Sequence, residues 1–340
     1  MEGTVEKKTA APAKPTMKDV ARESGVSLAT VSKVINRITV REDSRRRVEA
    51  AIQKLGYQLN AYARALKTNK TMCIAVVLPS LKHPFFAHLA DELTACLMKR
   101  GYLCQLMITN YDPEAEQKCF SLVRSNRSDG VIALTYSPKL VLDETIPIVT
   151  IDRYFSSNVP CVSSDNYRGG ELAAEKLLEL GCRRLLFLRI SAQVPGETDK
   201  RCAGFENMCR QRGAAYETLI LRDEETEAPF FRFLEERICG GSLEFDGIFC
   251  NSDALAFRVR RFLQEQGVAV PGQVQLIGYD GIADHFTENR VCSTIEQPLK
   301  KMAETAVRLL LNPSDASAGI NVCLPVRYVP GGTTRDGADQ

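Results

Sequence analysis

The chain has 340 residues, 44% hydrophobic and 25% charged; these ordinary globular values exclude wholesale disorder and a single small core, and point to two or three domains. Its longest apolar run, Met72 to Pro79, falls far short of the roughly 20 residues a bilayer span needs, and no apolar stretch follows the first basic residues, so a cytoplasmic protein is expected. Residues 1–71 hold 15 Lys and Arg against 7 Asp and Glu; that net of +8, set against +2 for the whole chain, leaves −6 for residues 72–340 and describes a small basic head that meets a polyanion on a body that does not.

Residues 1–15 are rich in Ala, Lys and Pro without apolar periodicity and read as a flexible tail. Thr16-Met17-Lys18-Asp19 then forms a capping signal for a first helix reaching about Ser24. Gly25 supplies a left-handed turn, and Ser27 caps a second helix, Leu28 to Asn36. Ala21, Val26, Val31 and Ile35 can share one small core. Residues 16–59 therefore read as a helix-turn-helix DNA-binding domain, with the second helix short enough to enter a major groove. Its outer face carries Leu28, Ala29, Lys33 and Asn36; Lys33 can donate to guanine, while Leu28 and Ala29 can touch thymine methyls. Thr16, Ser27, Thr30 and Ser32 are placed for phosphates, which position without reading sequence. A helical hairpin with solvated basic faces is the competing reading. A short helical stretch, Asn60 to Leu66, precedes the polar segment 67–71, which reads as a linker.

After Thr71 the chain changes character. Apolar strands at 72–80, 102–110, 130–136, 146–152, 184–190, 217–222, 247–253 and 274–280 alternate with helical patterns near 84–100, 114–127, 168–181, 200–213, 227–239, 253–267 and 298–311. Near-continuous apolar strands between helices indicate parallel, doubly wound α/β sheets covered on both faces, and the length calls for two lobes. Polar residues collect at the strand ends: Asp152, Arg153, Asp165, Asn166, Ser252, Asp253 and Asp280. Open parallel sheets bind ligands there, so a cleft between the lobes is the expected ligand site.

Twelve cysteines include no C-x-x-C pair, and the nearest two, Cys202 and Cys209, are seven apart; reduced, mostly buried thiols are expected. His83 and His88 share a predicted helix start without an obvious third ligand, so no metal and no cofactor is expected. The chain has no G-x-x-x-x-G-K-[ST] loop, no G-x-G-x-x-G after a strand and no G-x-S-x-G elbow, and it is read as a non-enzyme.

MKDVARESGVSLATVSKVINR and VEAAIQKLGYQLNAYARALK resemble the DNA-binding head of the lactose/galactose-repressor family. IDR at 151–153, SSDNYRGGELAAEKLLELG at 163–181, KRCAGF at 200–205, FCNSDALAF at 249–257, VQLIGYDG at 274–281 and STIEQPLKKM at 293–302 follow in that family's order, so the resemblance spans roughly 16–332. It implies a periplasmic-binding-protein-like effector body behind the all-α head. The N-terminal lobe would comprise 72–164 and 298–324, the C-terminal lobe 165–297 and 325–340. It also implies a DNA-binding transcriptional repressor controlled by a small effector, a sugar or polyol. Leu28, Ala29 and Lys33 then read the major groove. Asn60 to Leu66 becomes a hinge helix that orders on specific DNA, with Asn60, Ala63, Arg64, Leu66 and Lys67 at the minor groove. Leu66 is the wedge that unstacks a central step, at a cost that added contacts offset.

The effector residues implied by the resemblance are Arg201 and Asp280, the aromatic pair Phe85 and Phe86, and the cleft positions Asp152, Arg153, Asp165 and Ser252. An Arg fork with an Asp acceptor suits adjacent hydroxyls. Asp165 and Asp253 could also simply cap the following helices, and for Asp253 capping is the favoured reading. Two departures stand out. Arg41 replaces a capping Ser or Thr, so Asp43 or Ser44 is expected to cap the third helix. Asp223-Glu224-Glu225 replaces an aromatic residue, and this acidic loop favours a neutral sugar or polyol over a phosphorylated ligand. A homodimer on a pseudo-palindromic operator is expected, since the end of the sequence has no apolar heptads for a tetramer. The alternative is a cytosolic sugar-binding or sugar-modifying enzyme with a basic N-terminal appendage.

Overall fold

The structure, a computed structural model, describes residues 15–35, 38–57, 70–135, 145–153, 158–191, 196–222, 228–282, 292–312 and 320–338. Asn36, the hinge residues Asn60, Ala63, Arg64, Leu66 and Lys67, and the acidic segment 223–225 lie outside the described residues. The chain divides into two compact units, Met1–Thr71 and Met72–Gln340.

The first unit holds α1 (Met17–Ser24), α2 (Leu28–Ile35) and α3 (Glu42–Leu55). Thr16 and Asp19 cap α1 reciprocally, and Gly25 ends it with φ of 63°. Ser27 Oγ accepts from the Thr30 amide at 3.2 Å and starts α2. Val20, Val31, Val48 and Ala51 form the buried centre, with Ala21, Val26 and Ile35 only partly buried around it. The sequence pattern named Val31 at the centre and Ala21, Val26 and Ile35 around it, but not Val20, nor the α3 residues that complete the core. Neither Asp43 nor Ser44 caps α3: Arg41 is its N-cap and makes no side-chain cap bond. Glu42 and Asp43 lie instead in the first turn, where their charge favours the positive helix end.

In the second unit, β1 (Cys73–Leu78), α4 (Pro84–Lys99), β2 (Leu103–Ile108), α5 (Pro113–Ser125), β3 (Gly130–Ala133), β4 (Ile148–Ile151) and β5 (Cys161–Ser164) come first. They are followed by α6 (Asn166–Glu179), β6 (Arg184–Ser191), α7 (Lys200–Arg212), β7 (Ala215–Arg222) and α8 (Ala228–Glu235). Next come the small β8 (Ile238–Cys239) and β9 (Ser242–Leu243) pair, β10 (Gly247–Cys250), α9 (Asp253–Glu265), β11 (Gln275–Asp280) and β12 (Ser293–Glu296). The described chain ends with α10 (Leu299–Leu311), β13 (Asn321–Leu324), β14 (Arg327–Val329) and α11 (Arg335–Ala338).

Two six-stranded sheets result, ordered β13-β5-β4-β3-β1-β2 and β14-β12-β11-β10-β6-β7. The first is parallel throughout, and in the second only β14 runs antiparallel. The chain passes between sheets after β5, after β12 and between β13 and β14. α10, although it follows β12 of the second sheet, packs its buried Met302, Ala306 and Leu310 into the first lobe's core with Leu89, Leu93 and Leu97. Each lobe is thus closed by chain from both sides of a crossover.

The edge strands depart from the fully covered pattern. Leu103 and Leu106 of β2 are 69% and 39% exposed, and Ile220 of β7 is 46% exposed. An apolar run reports strand propensity, but coverage depends on position in the sheet. All twelve cysteines are free; six are buried, while Cys239 and Cys323 are exposed. Among the described residues, no group of His, Cys, Asp or Glu is arranged to hold a metal, and no helix is long and apolar enough to cross a membrane.

Candidate functional site

On the head, α2 turns Val31 inward and leaves Leu28, Ala29 and Lys33 exposed on one face, with Leu28 45% exposed. The hydroxyls assigned to phosphates are engaged locally. Thr16 Oγ1 donates to Asp19 at 2.7 Å, and Ser27 and Thr30 share a bond of 2.9 Å. They fix the helix starts, where backbone amides and not the hydroxyls alone face an anion. Ser32 is half-buried on the flank of α2.

The body carries a cavity of about 220 Å³ between the carboxyl ends of the two sheets. His83, Phe85 and Phe86 follow β1, Tyr111 follows β2, Leu134 follows β3 and Asp152 follows β4. The other wall comes from Ile190 of β6, Thr198, Arg201 of α7, Asn251 and Ser252 after β10, Arg258 of α9, Asp280 of β11 and Gln297 after β12. Every wall position except Arg258 lies at a strand end, in the following turn or near a following helix start, where doubly wound sheets place their ligands.

Arg201 is the centre of this arrangement. It stands in the first turn of α7, where the helix dipole disfavours a cation. Its Nε donates to Asn166 Oδ1 at 2.7 Å, its Nη1 to the Asn251 carbonyl at 2.6 Å, and its guanidinium lies 3.5 Å from the centre of the Tyr279 ring. Those contacts hold a buried charge rigidly. Two glycines make room for it. A side chain on Gly169 would strike the Tyr279 ring at 2.7 Å, and one on Gly170 would meet the Arg201 carbonyl oxygen at 2.0 Å. Gly204 returns the relation, its absent Cβ lying 2.0 Å from the Tyr167 carbonyl oxygen. The GG and AGF motifs are the contact faces of one close helix crossing.

Asp152 and Asp280 are buried with positive φ, 54° and 118°, a conformation an Asp at the second value adopts only under constraint. Gln297 Nε2 donates to Asp280 Oδ1 at 2.8 Å, and Ser164 Oγ donates to Gln297 Oε1 at 2.7 Å. This chain joins the cleft carboxylate to the first two crossovers. Asp152 Oδ1 and Asp280 Oδ2 have no protein partner. Burial pushes the Asp152 carboxyl up to about 6 and raises Asp280, both against the attraction of Arg201. Two unpartnered acceptors beside a fixed guanidinium are what a ring of hydroxyls can satisfy.

Six of the eight expected effector residues line the cavity: Phe85, Phe86, Asp152, Arg201, Ser252 and Asp280. Asp165 instead caps α6, accepting from the Arg168 amide at 3.0 Å, and Arg153 donates to the Thr135 carbonyl at 3.1 Å; neither is in the lining. Asp253 is not a helix cap. Ser252 caps α9, while the Asp253 carboxylate accepts from the Gly281 and Ile282 amides at 2.9 and 2.7 Å and secures the turn after Asp280. His83, Tyr111, Asn251, Arg258 and Gln297 were missed. His83 and Gln297 lay within motifs already noticed, HPFF and STIEQP, whereas Arg258 sits mid-helix with no local signal.

A three-helix head of helix-turn-helix form joined in one chain to a two-lobed, ligand-cleft body defines a ligand-binding transcriptional regulator. Residues 16–60 match the family described as bacterial regulatory proteins, lacI family, and residues 71–329 match periplasmic binding proteins and sugar binding domain of LacI family. The chain belongs to the LacI family. It is 33% identical to the sucrose operon repressor of Pediococcus pentosaceus, over 94% of this chain and 99% of that one. It is 32% identical to the ribose operon repressor of Bacillus subtilis, over 94% and 98%. The body resembles a periplasmic binding protein/LacI transcriptional regulator from Alkaliphilus metalliredigens complexed with D-xylulofuranose, with TM-score 0.66, 28% identity, and coverage of 77% of this chain and 99% of that one. The fold also matches the lac repressor dimer bound to operator and the anti-inducer ONPF, with TM-score 0.80 at 22% identity, over 95% and 99% of the two chains.

Proposed function

We propose that the protein is a cytoplasmic, dimeric repressor of a sugar operon, not an enzyme, and that a sugar or polyol bound in the body's cleft sets its affinity for operator DNA. The observation that carries this reading is Arg201 held against Asn166, Asn251 and Tyr279 beside the unpartnered oxygens of Asp152 and Asp280. Phe85 and Phe86 supply apolar faces, and Ser252 adds a hydroxyl. The cavity volume, below the ~300–1,000 Å³ of drug-sized ligand sites, suits a small ligand.

Leu28, Ala29, Lys33 and Asn36 read the major groove, and Asn60, Ala63, Arg64, Leu66 and Lys67 engage the minor groove. Lobe closure on the effector alters how the N-terminal lobes of two protomers pack and so biases the hinge. The exposed Met98, Leu103 and Leu106 beside and along the β2 edge support self-association. The test is fluorescence anisotropy on an operator enriched from random duplexes, titrated with and without a sugar found by thermal shift. A sugar-dependent change in operator affinity supports the reading; turnover of the bound sugar would replace it with an enzyme.

A further inference from the structure

We propose that Asp253, buried behind the cleft and absent from its lining, acts as a neutral carboxylic acid whose proton lets Asp280 beside it carry the negative charge that meets a ligand's hydroxyls. This makes Asp253 a positioning residue for ligand binding, an assignment that rests on the reading of the cleft as a sugar or polyol site.

The two carboxyl groups come from neighbouring elements. Asp253 opens α9 just after β10, and Asp280 ends β11, which pairs with β10. One oxygen of each is bonded. Asp253 Oδ2 accepts from the Gly281 and Ile282 amides, and Asp280 Oδ1 accepts from Gln297 Nε2. The other two, Asp253 Oδ1 and Asp280 Oδ2, are buried without a hydrogen-bond partner. Of the two residues, only Asp280 reaches the cavity. The strand is built to admit the other: a side chain on Gly278 would meet Asp253 Oδ1 at 2.1 Å, and Asp280 follows two residues later. Neighbouring buried carboxylates repel each other, and an ionised oxygen kept from water without a donor is costly. A proton on Asp253 Oδ1 removes the repulsion and turns the orphan acceptor into a donor. It leaves Oδ2 free to go on accepting from the two amides.

The surrounding charges separate the two acids. None of the groups acting most strongly on Asp253 is a cation. Burial, then the charge of Asp280, raises Asp253 well above the ordinary carboxylate value, against the Thr294 hydroxyl and the amides of Ile282 and Gly281. Burial raises Asp280 too, but there Arg201 of α7 and the Gln297 amide oppose it. Asp152, after β4, is likewise raised by burial and drawn down by Arg201, while Glu197 and Asp280 add negative charge beside it. Of the cations on α9 itself, Arg258 acts on His83 and Cys250, and Arg260 acts on Cys292. Burial first of all pushes His83 down to about 4 and raises Cys250, Cys292 and Tyr279, so these four are neutral at pH 7. Asp280 has the guanidinium and becomes the anion; Asp253 has none and keeps the proton.

The test is carbon NMR of the full-length chain labelled at the aspartate carboxyl carbon, where protonated and ionised groups differ in shift. Asp253→Asn identifies the Asp253 signal by its loss. That signal should be in its protonated position at pH 7, and Asp280→Asn should lower its midpoint by ~1 unit or more, since the neighbouring charge is gone. An ionised Asp253 at pH 7, or a midpoint unmoved in Asp280→Asn, overturns the assignment. Binding gives a second readout, using whichever compound of a panel of uncharged pentoses, hexoses, disaccharides and alditols most raises the melting temperature. Asp253→Ala should weaken that compound's binding by ~10-fold or more, and Asp253→Asn, which resembles the neutral acid, should restore most of the loss. Equal losses in the two variants mean that a carboxylate was needed and overturn the neutral acid. If no compound of the panel stabilises the chain, the sugar reading fails, and the NMR titration alone decides the state of Asp253.

Discussion

At the scale of single residues the cleft is a set of costly groups held in place. Arg201 is a buried cation at the wrong end of a helix, and replacing it with Lys keeps the charge but loses the planar fork to Asn166 Oδ1 and the Asn251 carbonyl. Arg201→Lys should weaken sugar binding by ~100-fold, about 3 kcal/mol, by calorimetry, while leaving operator binding intact and unresponsive. Asp280 carries the opposite cost. Its pKa is raised in the folded chain, so the native state binds more protons than the unfolded one between the ordinary carboxylate value and the raised one. Its charge therefore destabilises the fold above the raised pKa, and this penalty disappears as pH falls towards the unfolded value. Asp280→Asn should raise Tm by ~2–6 °C at pH 8, with the gain vanishing near pH 4, and should abolish sugar binding. His83 acts in the contrary sense: its lowered pKa contributes stability above about 6.5 that is lost as pH falls to about 4. Scanning calorimetry of wild type, Asp280→Asn and His83→Gln across pH 4–8 checks these signs. Arg201 and Asp280 were legible from chemistry and position together with resemblance. Arg258 was not, because on a helix only its three-dimensional direction tells a wall residue from a solvated one.

At the scale of elements, the crossing of α6 and α7 decides where Arg201 points. Gly170 and Gly204 each face the other helix's backbone with no room for a methyl, so the helices approach through carbonyl oxygens and Cα atoms. Gly204→Ala must separate them, costing ~3 kcal/mol or more and moving the guanidinium off Tyr279. Urea unfolding should show that loss, and calorimetry a weaker sugar affinity in the folded variant. The long strands and all the long helices of the body could be read from apolar periodicity. β5, β12, β13 and β14 could not, being three or four residues long with partly polar sequences such as CVSS and NVCL. For β13 and β14 the pairing is also non-local: β13 completes a sheet whose first strand lies some 250 residues earlier in the chain. Local propensity carries no record of that. For the hinge, Leu66→Ala should weaken specific operator binding far more than binding to random duplex, as a groove wedge requires; equal losses would leave Leu66 a linker residue.

For the whole molecule, the division of charge seen in the sequence corresponds to two units with different work: a small basic reader and a body whose cleft joins both lobes. Ser164, Gln297 and Asp280 connect the first two crossovers to the ligand floor, so ligand contact and lobe geometry share one hydrogen-bonded path. Because counterion release from the phosphate backbone accompanies DNA binding by a basic head, operator binding should fall with salt, whereas the effector's influence should persist as a ratio of affinities. The central claim is that cleft occupancy controls sequence-specific DNA binding. Its most direct measurement is anisotropy on enriched and scrambled duplexes, at fixed salt, with a ligand that stabilises the body. The account predicts a change of ~10-fold or more in affinity for the enriched duplex, little change for the scrambled one, and loss of the effect in Arg201→Lys. Equal affinity for both duplexes, unaltered by a ligand that demonstrably binds, would contradict it.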